Sequence, residues 1–299
     1  MTVPTLGEIV TVLATDLGDP SGLTTLVDVP GERRVLGGHV DGRPVIVKAY
    51  HQPVAEAMFQ RQAMLAAAAG DCDVLRVPEP LLASGRVLVL ERLEGTPYTE
   101  LAGQTQVAAA LHRAGVALAE LHRIDVSADD RAAARTMADH LRELVNPHPT
   151  RLGAVFPQWA PLVEATLLSL AATDPSPAAP TALLHRDMHL RQLIDLGPRV
   201  GIVDWDLAAA GDPVFDVGYL TTYLETHTAS PAALTDAFLD GYATLRDRPT
   251  SQHLRPYRCF NLLRRACRRF RVRDAGWHAE MDRMLCLLDV AVSESVARP

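Results

Sequence analysis

The sequence predicts an α+β fold with two lobes: a small N-terminal lobe with an antiparallel sheet and one helix, and a larger, mainly helical C-terminal lobe. Residues 33–50 have a β-hairpin pattern, whereas apolar residues from position 105 onward recur at helical spacing. The chain of 299 residues is long enough for two hydrophobic cores. We place the lobes at 1–92 and 93–299.

The N-terminal lobe is predicted from turn residues and alternating side chains. Two apolar stretches within 33–50 flank the dipeptide Asp41-Gly42, which favours a tight hairpin turn. Residues 53–69 are rich in helix formers and are followed by Gly70. A third β-rich stretch covers residues 85–95. These elements predict a small antiparallel sheet with one helix.

The C-terminal lobe is predicted from helical periodicity. In residues 105–123, apolar side chains recur every three or four positions and form one stripe. Further helices are predicted at 128–146, 156–172, 214–228, 231–246, 253–272 and 277–296. Two short apolar segments, 181–185 and 199–205, lie on either side of Gly197-Pro198. We interpret them as a strand pair inserted into the helical lobe.

Composition and charge are those of an ordinary globular protein. Hydrophobic residues make up 48% of the chain, and the net charge of −7 argues against general binding of nucleic acid. The first basic residue is Arg33, unlike in a secretory signal, and no apolar run approaches the roughly 20 residues of a membrane span. The four cysteines form no C-x-x-C pair. We therefore expect a cytoplasmic protein that binds neither nucleic acid nor membrane.

One basic residue differs from all the others. Among 29 lysines and arginines, only Lys48 is a lysine. A compact ammonium reaches a phosphate oxygen in a tight space, whereas a guanidinium is a wide planar fork. The alternative is that nucleotide composition suppresses lysine codons and one survives by chance. Lys48 lies on a predicted strand and projects to the face opposite Val47, which favours a functional role.

The densest set of reactive side chains lies between residues 185 and 216. Asp187 and Asp204 each end or follow an apolar segment. Phosphoryl transfer needs a carboxylate that orients the attacking hydroxyl, a second that holds Mg²⁺ on the phosphates, and a lysine that neutralises phosphate charge. Asp187, Asp204 and Lys48 could fill these three roles. Seen alone, an Asp at a strand end is more often a turn cap.

An ordered set of motifs resembles the family of aminoglycoside phosphotransferases and choline kinases, which has a bilobal protein-kinase-like fold. The resemblance extends over residues 20–290. The matching segments are His185-Arg186-Asp187 with Gln192 five residues later, Asp204-Trp205-Asp206, Gly211-Asp212-Pro213 with Asp216, Leu90-Glu91-Arg92-Leu93-Glu94-Gly95, and Leu121-His122. Each motif alone is weak, but the ordered set is specific. A protein kinase matches less well, because no A-P-E segment follows Asp204.

The resemblance implies an enzyme that uses ATP or GTP with Mg²⁺ to phosphorylate a hydroxyl group of a small molecule, such as an antibiotic, sugar or nucleoside. It implies that Asp187 is the catalytic base, Asp204 the principal Mg²⁺ ligand and Lys48 the phosphate clamp. Backbone groups near Glu91 and Leu93 would bind adenine. Antibiotic resistance and specialised metabolism are the common settings. The acceptor, the choice of nucleotide and the formation of a homodimer stay open.

Two positions depart from the family's pattern. Gln192 stands where the family has a metal-binding Asn, and its amide oxygen is the same type of ligand on a longer stem. Gln62 stands where the family has the Glu that pairs with the lysine, so we expect a Gln62–Lys48 hydrogen bond. Glu56 is too close to Lys48 in sequence to reach back. These departures support an alternative function, a nucleotide-binding pseudokinase with a regulatory or scaffolding role.

A glycine-rich nucleotide loop is not evident in the N-terminal lobe. Gly22 and the stretch 23–33 are candidates for it. Gly37-Gly38 has a simpler explanation as a β-bulge. The position of the nucleotide loop therefore stays open.

Other polar residues near the motifs have structural alternatives. His185 is predicted to brace its loop, and Asp216 to bond the backbone of that loop. His189 and Arg191 are candidates for substrate contact, with simple solvent exposure as the alternative. Asp206 is a candidate either for substrate contact or for support of the metal ligand. A zinc-type cluster at His185 and His189 is disfavoured, because no third imidazole lies nearby.

A basic segment provides the one indication of acceptor charge. Residues 246–283 contain eleven arginines and four acidic residues, a local charge of +7 in a chain whose remainder is −14. Opposite charge steers ligands to their sites, so a polycationic acceptor would favour acidic surroundings. We expect a neutral or anionic acceptor. The alternative is that these arginines form a solvated helix face or pair with acidic helices.

Overall fold

The computed structural model describes residues 2–101, 103–173 and 181–294, which form two compact units. The first unit contains the residues up to 106 together with 191–206, and the second contains 107–190 and the residues from 207 onward. The predicted lobes were 1–92 and 93–299, whereas the first unit also includes residues 93–106 and 191–206. Asp204 therefore belongs to the same unit as the N-terminal sheet.

The helices and strands of the described residues have the following bounds. The strands are β1 (Pro20–Val29), β2 (Arg33–Val40), β3 (Arg43–Tyr50), β4 (Leu75–Arg76), β5 (Pro80–Ser84), β6 (Val87–Glu91), β7 (Thr96–Pro97), β8 (Ala182–Leu184), β9 (Leu193–Leu196), β10 (Arg199–Ile202) and β11 (Ala209–Gly211). The α-helices are α1 (Leu6–Asp16), α2 (Ala55–Gly70), α3 (Gln104–Leu121), α4 (Ala128–Ala132), α5 (Met137–Leu144), α6 (Pro149–Val155), α7 (Ala160–Ala171), α8 (Val214–His227), α9 (Pro231–Tyr242), α10 (Ser251–Val272) and α11 (Trp277–Ser293). The predicted α+β fold class is confirmed.

The first unit is built on a five-stranded antiparallel sheet in the order β1-β2-β3-β6-β5. The predicted hairpin joins β2 to β3 through Asp41 and Gly42, whose positive φ angles of 48° and 76° suit a two-residue turn. Val45 and Val47 of β3 pack with Ile9 of α1 in one apolar cluster. Because side chains alternate along a strand, Lys48 lies on the opposite face of the sheet.

Helix α1 covers one face of this sheet and was missed by the sequence patterning. Thr5 and Glu8 form a capping box, in which the Thr5 hydroxyl accepts from the Glu8 N–H at 3.3 Å and the Glu8 carboxylate accepts from the Thr5 N–H at 2.6 Å. The T-x-x-E spacing ahead of buried Ile9 and Leu13 is a recognised helix-start signal. The signal was therefore present in the sequence.

A second, four-stranded sheet in the first unit has the order β4-β10-β9-β7. The predicted pairing of 181–185 with 199–205 is wrong, because β10 pairs with β9 and β8 pairs with β11. The turn at Gly197, with a φ of 81°, joins strands that directly flank it. Leu196 and Arg199 are consequently partners, and no residue of β8 can take that place.

The second unit is mainly helical, and α10 packs against both α8 and α11. The predicted helix at 128–146 is wrong in its continuity, because it divides into α4 and α5. Ser127 and Thr136 each cap a helix N-terminus. Between these helices the N–H of Arg135 donates to the carbonyl of Ala210 in β11 at 2.8 Å, which interrupts the helical hydrogen bonding. Of the described helices, none combines the length and apolar character of a membrane span.

The packing of α3 against α9 depends on two glycines. A Cβ atom at Gly115 would overlap the carbonyl oxygen of Phe238, and one at Gly241 would overlap the carbonyl oxygen of His112. Backbone atoms cannot yield as a flexible side chain can. The two helices can therefore lie this close only while both positions lack a side chain.

We expect Gly115→Ala to lower the free energy of unfolding by about 1–3 kcal/mol, because the added methyl group overpacks the α3–α9 contact. Gly70→Ala is the control, since Gly70 is exposed on α2 and a Cβ there meets no atom within 4 Å. That control should leave stability unchanged or raise it by up to about 1 kcal/mol. Denaturant midpoints measure both, and equal midpoints for the two variants would contradict the prediction.

Candidate active site

Lys48 is the centre of a buried ionic cluster in the first unit. Its side chain is 6% exposed, and its Nζ donates at 2.6 Å to Oδ1 of Asp204 and at 2.6 Å to Oδ1 of Asp206. Burial alone lowers the Lys48 pKa, but the carboxylates of Asp206 and Asp204 outweigh it and hold the pKa above its ordinary value. The single lysine of the chain is therefore a charged ammonium between two carboxylates.

The two carboxylates follow strand β10 and are separated by a core residue. Trp205 is buried, and its indole N–H donates to the carbonyl of Ile202 at 2.8 Å. Asp204 has a φ of 67°, a left-handed conformation that costs energy for a residue with a side chain. This turn points Trp205 into the core while Asp204 and Asp206 both contact Lys48.

Arg33 and Tyr50 complete what we call the Lys48 cluster, which comprises these two residues, Lys48, Asp204 and Asp206. The Arg33 guanidinium donates to Asp206 at 3.0 Å and lies 3.8 Å from Asp204. The Tyr50 hydroxyl lies 3.4 Å from each carboxylate oxygen of Asp206. Two cations therefore face two carboxylates.

Sequence reasoning missed Arg33 and Tyr50, although a signal for both was present. Tyr50 is two residues from Lys48 on β3 and so shares its face of the sheet. Arg33 is the register partner of Tyr50 across the predicted hairpin. Extending the hairpin register from Asp41-Gly42 would have placed all three side chains on one face.

The hydrogen bond predicted between Gln62 and Lys48 is not formed within the described part of the chain. The buried Gln62 amide instead donates to the carbonyl of Pro78 at 2.8 Å. Glu56, which we expected not to reach Lys48, accepts from the N–H of Gly85 at 3.0 Å. The carboxylates of Asp204 and Asp206, which follow β10, therefore pair with Lys48 in place of a residue of helix α2.

Gln192 lies beside the Lys48 cluster. Its side-chain nitrogen is 3.5 Å from Oδ2 of Asp204, and its backbone carbonyl accepts from the N–H of Val203 at 3.0 Å. The β9–β10 hairpin thus brings Gln192 and Asp204 together, as their order in the motif implied. Carboxylate and amide oxygens of this kind are the donors that Mg²⁺ prefers.

These donors fit a magnesium ion held with a nucleotide. The described residues contain no group of three or more His, Cys, Asp or Glu side chains arranged to hold a metal. Phosphate-bound Mg²⁺ needs only one or two carboxylates, because phosphate oxygens and waters supply the remaining ligands. The side-chain oxygens of Asp204, Asp206 and Gln192 would be enough for a site of that kind.

Glu91 is the last residue of β6, and Leu93 follows two residues later in the same unit. The N–H of Glu91 donates to the carbonyl of Glu79 at 2.8 Å, and the N–H of Arg92 donates to the carbonyl of Pro44 at 3.1 Å. The Glu91 carboxylate accepts from Arg76 at 2.8 Å. The N–H of Leu93 has no hydrogen-bond partner among the residues that the structure describes, so it is a donor available to a ligand.

Of the candidates for the nucleotide loop, Gly22 and residues 23–29 lie in β1, and residues 30–32 form the turn between β1 and β2. Gly31, with a φ of 76°, lies at this exposed turn immediately before Arg33. A cavity of about 250 Å³ lies beside the turn and is lined by Gly31, Glu32, Tyr50, His51, Gln52 and Val54. A bulge is present, but the extra residue lies in β1 and not at Gly37-Gly38, because Gly22 and Leu23 of β1 lie opposite the single residue Gly38. A larger cavity of about 460 Å³, along α6 and α7, includes none of the predicted site residues.

Asp187 belongs to the second unit and has its own set of partners. Its carboxylate accepts from the Tyr219 hydroxyl at 2.7 Å and from Arg264 at 3.1 Å, and it lies 3.6 Å from Nε2 of His189. Burial alone raises the Asp187 pKa, but His189, Arg264 and Tyr219 outweigh it and hold the pKa well below its ordinary value. We call these four residues the Asp187 cluster.

The loop that carries Asp187 rests on a buried carboxylate. Asp216 accepts from the N–H of His185 at 2.6 Å and from the N–H of Arg186 at 2.8 Å, which confirms its predicted role. His122 lies 3.5 Å from Asp216, and its other ring nitrogen is 2.9 Å from the Tyr242 hydroxyl. His185 is fully buried, and its Nδ1 accepts from the N–H of Asp187 at 3.3 Å, in agreement with a bracing role.

Arg186 fixes the other side of this loop. Its φ is 67°, and its buried guanidinium donates to Glu143 at 2.6 Å and to His140 at 3.3 Å. Burial and the Arg186 charge lower the His140 pKa to about 3, so His140 is neutral and can accept this hydrogen bond. The strained backbone of the loop is therefore held by buried polar contacts on both sides.

The residues considered as acceptor contacts are distributed over both units. His189 lies in the Asp187 cluster, whereas Asp206 lies in the Lys48 cluster. Arg191 is exposed and makes no hydrogen bond or ion pair with any described residue. Asp187 and Asp204 themselves fall in different units.

The small sheet-based unit and the larger helical unit define a protein-kinase-like fold, which the solved structures of several phosphotransferases share. Macrolide 2'-phosphotransferase MphH from Brachybacterium faecium is 21% identical, with 95% of this chain and 97% of that chain covered and a TM-score of 0.63. A thermostable mutant of aminoglycoside phosphotransferase APH(4)-Ia, in a ternary complex with ADP and hygromycin B, is 16% identical, with 97% and 99% covered and a TM-score of 0.66. Spectinomycin phosphotransferase APH(9)-Ia, in complex with ADP and spectinomycin, is 11% identical, with 99% and 98% covered and a TM-score of 0.61.

The family is shown by the sequence itself. The model of the APH phosphotransferase enzyme family matches residues 32–257. The chain therefore belongs to the APH phosphotransferase family, as the ordered motifs indicated. A comparison with curated protein sequences finds no match.

We expect Asp216→Asn to lower the free energy of unfolding at pH 7 by about 2–4 kcal/mol, because an amide nitrogen would then face the N–H groups of His185 and Arg186. Burial alone raises the Asp216 pKa, but the hydrogen bond with His122 and the other donors hold it below its ordinary value. The carboxylate's contribution is therefore complete above the unfolded pKa of about 4 and is lost as the pH falls through the folded pKa.

Denaturant titrations at pH 7 and pH 3 measure this difference, which should be smaller at pH 3. The matched control is Asp289→Asn, at an exposed position of α11 with no described partner. A cost for Asp216→Asn that is the same at both pH values would contradict the prediction.

Proposed function

We propose that this protein is an ATP- and Mg²⁺-dependent phosphotransferase that phosphorylates a hydroxyl group of a small molecule. The observation that carries the proposal is the single lysine of the chain, buried and hydrogen-bonded to both carboxylates of the D-W-D motif. Family membership and the ADP complexes of structural relatives support a nucleotide donor.

Lys48 and Arg33 would bind the nucleotide phosphates. Lys48 carries three N–H donors and uses two of them on Asp204 and Asp206, which leaves a third for a phosphate oxygen. Arg33 is partly exposed, with 34% of its side chain accessible, and it follows the β1–β2 turn directly. A partly exposed guanidinium next to a buried ammonium suits a polyphosphate with several negative oxygens.

Asp204, Asp206 and Gln192 would hold the magnesium ion. When bound, Mg²⁺ neutralises phosphate charge and fixes the orientation of the transferred group. Gln192 would contribute through its amide oxygen, so its side chain would turn relative to the present contact with Asp204. The N–H of Leu93 would donate to the adenine ring, next to Glu91, whose own N–H is already used in the sheet.

Asp187 would accept the proton of the acceptor hydroxyl. Its partners keep it an anion, so it can receive a hydrogen bond from that hydroxyl and orient the oxygen for attack. A weakly basic carboxylate suffices, because in the loose transition state of phosphoryl transfer the hydroxyl loses its proton to the carboxylate late. Asp216 and Arg186 position the loop without touching the reactants.

The alternative function is a nucleotide-binding pseudokinase, and Gln192 is the observation that favours it. Gln62 no longer supports it, because two carboxylates position Lys48 in place of the missing helix glutamate. The two functions differ in one outcome. A pseudokinase binds nucleotide without turnover that depends on Asp187.

We expect wild-type protein to hydrolyse Mg·ATP slowly and to phosphorylate an acceptor faster. Asp187→Asn should lower kcat by about 10²- to 10⁴-fold, because the hydroxyl or water loses its base. Lys48→Met and Asp204→Asn should abolish turnover and weaken nucleotide binding. ADP release, measured with ATP and with GTP in the presence and absence of Mg²⁺, tests these effects.

Asp289→Asn is the control for these variants and should behave as wild type. Thermal stabilisation by Mg·ATP separates binding from turnover. Nucleotide binding in the wild type, with ADP release that is insensitive to Asp187→Asn, would replace the phosphotransferase with the pseudokinase.

We expect Arg33→Met to raise KM for ATP about tenfold with a smaller change in kcat, because a charge-assisted contact to phosphate is lost. Arg34→Met is the matched control, since Arg34 is the next residue on β2, points to the opposite face and pairs with Asp28 at 2.9 Å. Initial-rate kinetics with varied ATP measure both variants. Equal KM values for Arg33→Met and Arg34→Met would show that Arg33 does not bind the nucleotide.

A further inference from the structure

Two consecutive arginines of α10 lie at the Asp187 cluster. The guanidinium carbon of Arg264 is 5.0 Å from the centre of the Tyr219 ring, and that of Arg265 is 5.9 Å from it. The hydroxyl of the same tyrosine donates to Asp187 at 2.7 Å. Arg264 therefore contacts the carboxylate that we assign as the base directly, at 3.1 Å, whereas Arg265 is one tyrosine ring away from it.

Arg264 is neutralised by Asp187, but Arg265 is not neutralised by any described carboxylate. Arg265 contacts the Tyr223 ring at 5.1 Å and lies 3.3 Å from Nδ1 of His227. It has no ion pair with any described residue. A half-buried guanidinium held by aromatic rings and a histidine keeps a surplus positive charge, which is costly without a partner.

Three arginines of the same basic segment have carboxylate partners. Arg258 pairs with Glu225 at 2.7 Å, Arg269 with Asp274 at 2.7 Å, and Arg283 with Glu280 at 3.0 Å. The alternative considered from the sequence, that the arginines pair with acidic residues, therefore holds for these three. It does not hold for Arg265, whose neighbours are aromatic.

His227 does not compensate the charge of Arg265. Burial and the guanidinium of Arg265 lower the His227 pKa to about 4, so the imidazole is neutral at pH 7. His227 is exposed, which gives a dissolved ligand a route to this position. The contacts form a closed ring of side chains. Tyr223 stacks on His227 with ring centres 4.2 Å apart, its ring centre lies 5.5 Å from that of His189, and His189 lies 3.6 Å from Asp187.

Two buried side-chain nitrogens at this ring lack a partner among the described residues. They are Nη1 of Arg264 and Nδ1 of His189. Unpaired buried polar atoms are uncommon in folded proteins, and an unfilled ligand site is one explanation. Together with Arg265, Nη1 of Arg264 offers hydrogen bonds to a negatively charged group, and the tyrosine rings offer flat apolar contact.

We infer that the acceptor of this phosphotransferase carries an oxyanion, a carboxylate or a phosphate monoester, and that Arg265 binds this group while Asp187 receives the hydroxyl. This inference rests on the proposed function and names its class of substrate. In the reaction the hydroxyl oxygen forms a bond to the γ-phosphorus of ATP, and the bond from that phosphorus to the β–γ bridging oxygen breaks. The hydroxyl proton passes to Asp187 and then to solvent, and ADP leaves with the bridging oxygen. A polycationic acceptor would instead meet two guanidinium groups.

Binding of a simple oxyanion tests the inference without knowledge of the natural acceptor. The probes are sodium sulfate and glucuronate, compared with sodium chloride and glucose at constant ionic strength. Saturating Mg·ADP occupies the nucleotide site, so that stabilisation at Lys48 does not contribute. Thermal shift and calorimetry should show that sulfate and glucuronate bind the wild type and that glucose does not.

Arg265→Met should weaken this binding at least about tenfold, because the charge-assisted contacts are lost. Arg265→Lys should retain part of it, since the charge remains without the planar fork. Arg268→Met is the matched control, because Arg268 is an exposed arginine of the same helix without a described partner. Circular dichroism establishes that each variant is folded, and Arg265→Lys serves if Arg265→Met is not.

Three outcomes of the binding experiment overturn the inference. They are no oxyanion binding by the wild type, an affinity of Arg265→Met equal to that of the wild type, and a loss of affinity in Arg268→Met equal to that in Arg265→Met. An acceptor screen with the pairs glucose and glucuronate, glycerol and glycerol 3-phosphate, together with kanamycin, distinguishes carboxylate from phosphate. Faster phosphorylation of kanamycin than of every anionic compound also overturns it. Failure of the proposed function is a separate result, since the wild type would then show no Asp187-dependent release of ADP from Mg·ATP.

Discussion

The burial of one ammonium group constrains the whole first unit. An ammonium on the inner face of a sheet is stable only with carboxylates next to it, because desolvation alone would neutralise it. Asp204 and Asp206 provide them, each at 2.6 Å from Lys48. This requirement is consistent with the return of residues 191–206 to the first unit, and the left-handed backbone at Asp204 and the buried Trp205 allow both acids to contact Lys48.

The second unit applies the same principle to an anion. Asp187 stays ionised although partly buried, because a guanidinium, a phenol and an imidazole surround it. Arg264 donates to the Asp187 side chain, and Asp216 accepts from the backbone of the same loop. The N–H groups that Asp216 accepts from would otherwise be buried without partners. The charge balance nevertheless differs between the two clusters. The Lys48 cluster has as many cations as anions, whereas Arg265 adds a positive charge next to the Asp187 cluster.

The success of the sequence-based predictions depended on how local each feature is. The β2–β3 hairpin follows from Asp41-Gly42 and alternation, and the role of Asp216 follows from its place in an ordered motif. The pairing of 181–185 with 199–205 was wrong, because pairing across a two-residue turn involves only the strands that adjoin it. The Gln62–Lys48 hydrogen bond was wrong because it transferred a helix contact from the family, whereas α2 here directs that amide to Pro78.

The sequence by itself determined the family, the α+β class and the identity of the ionisable side chains in the motifs, since these depend on residue type, order and short-range periodicity. Only the tertiary structure decided which charges meet. Arg33, Tyr50 and Arg265 belong to none of the motifs. The partner of Arg33 and Tyr50 is Asp206, far along the chain, and the partners of Arg265 include no described carboxylate. Whether a charge is neutralised is a property of the packed neighbourhood, because burial and the positions of distant side chains set its energy together.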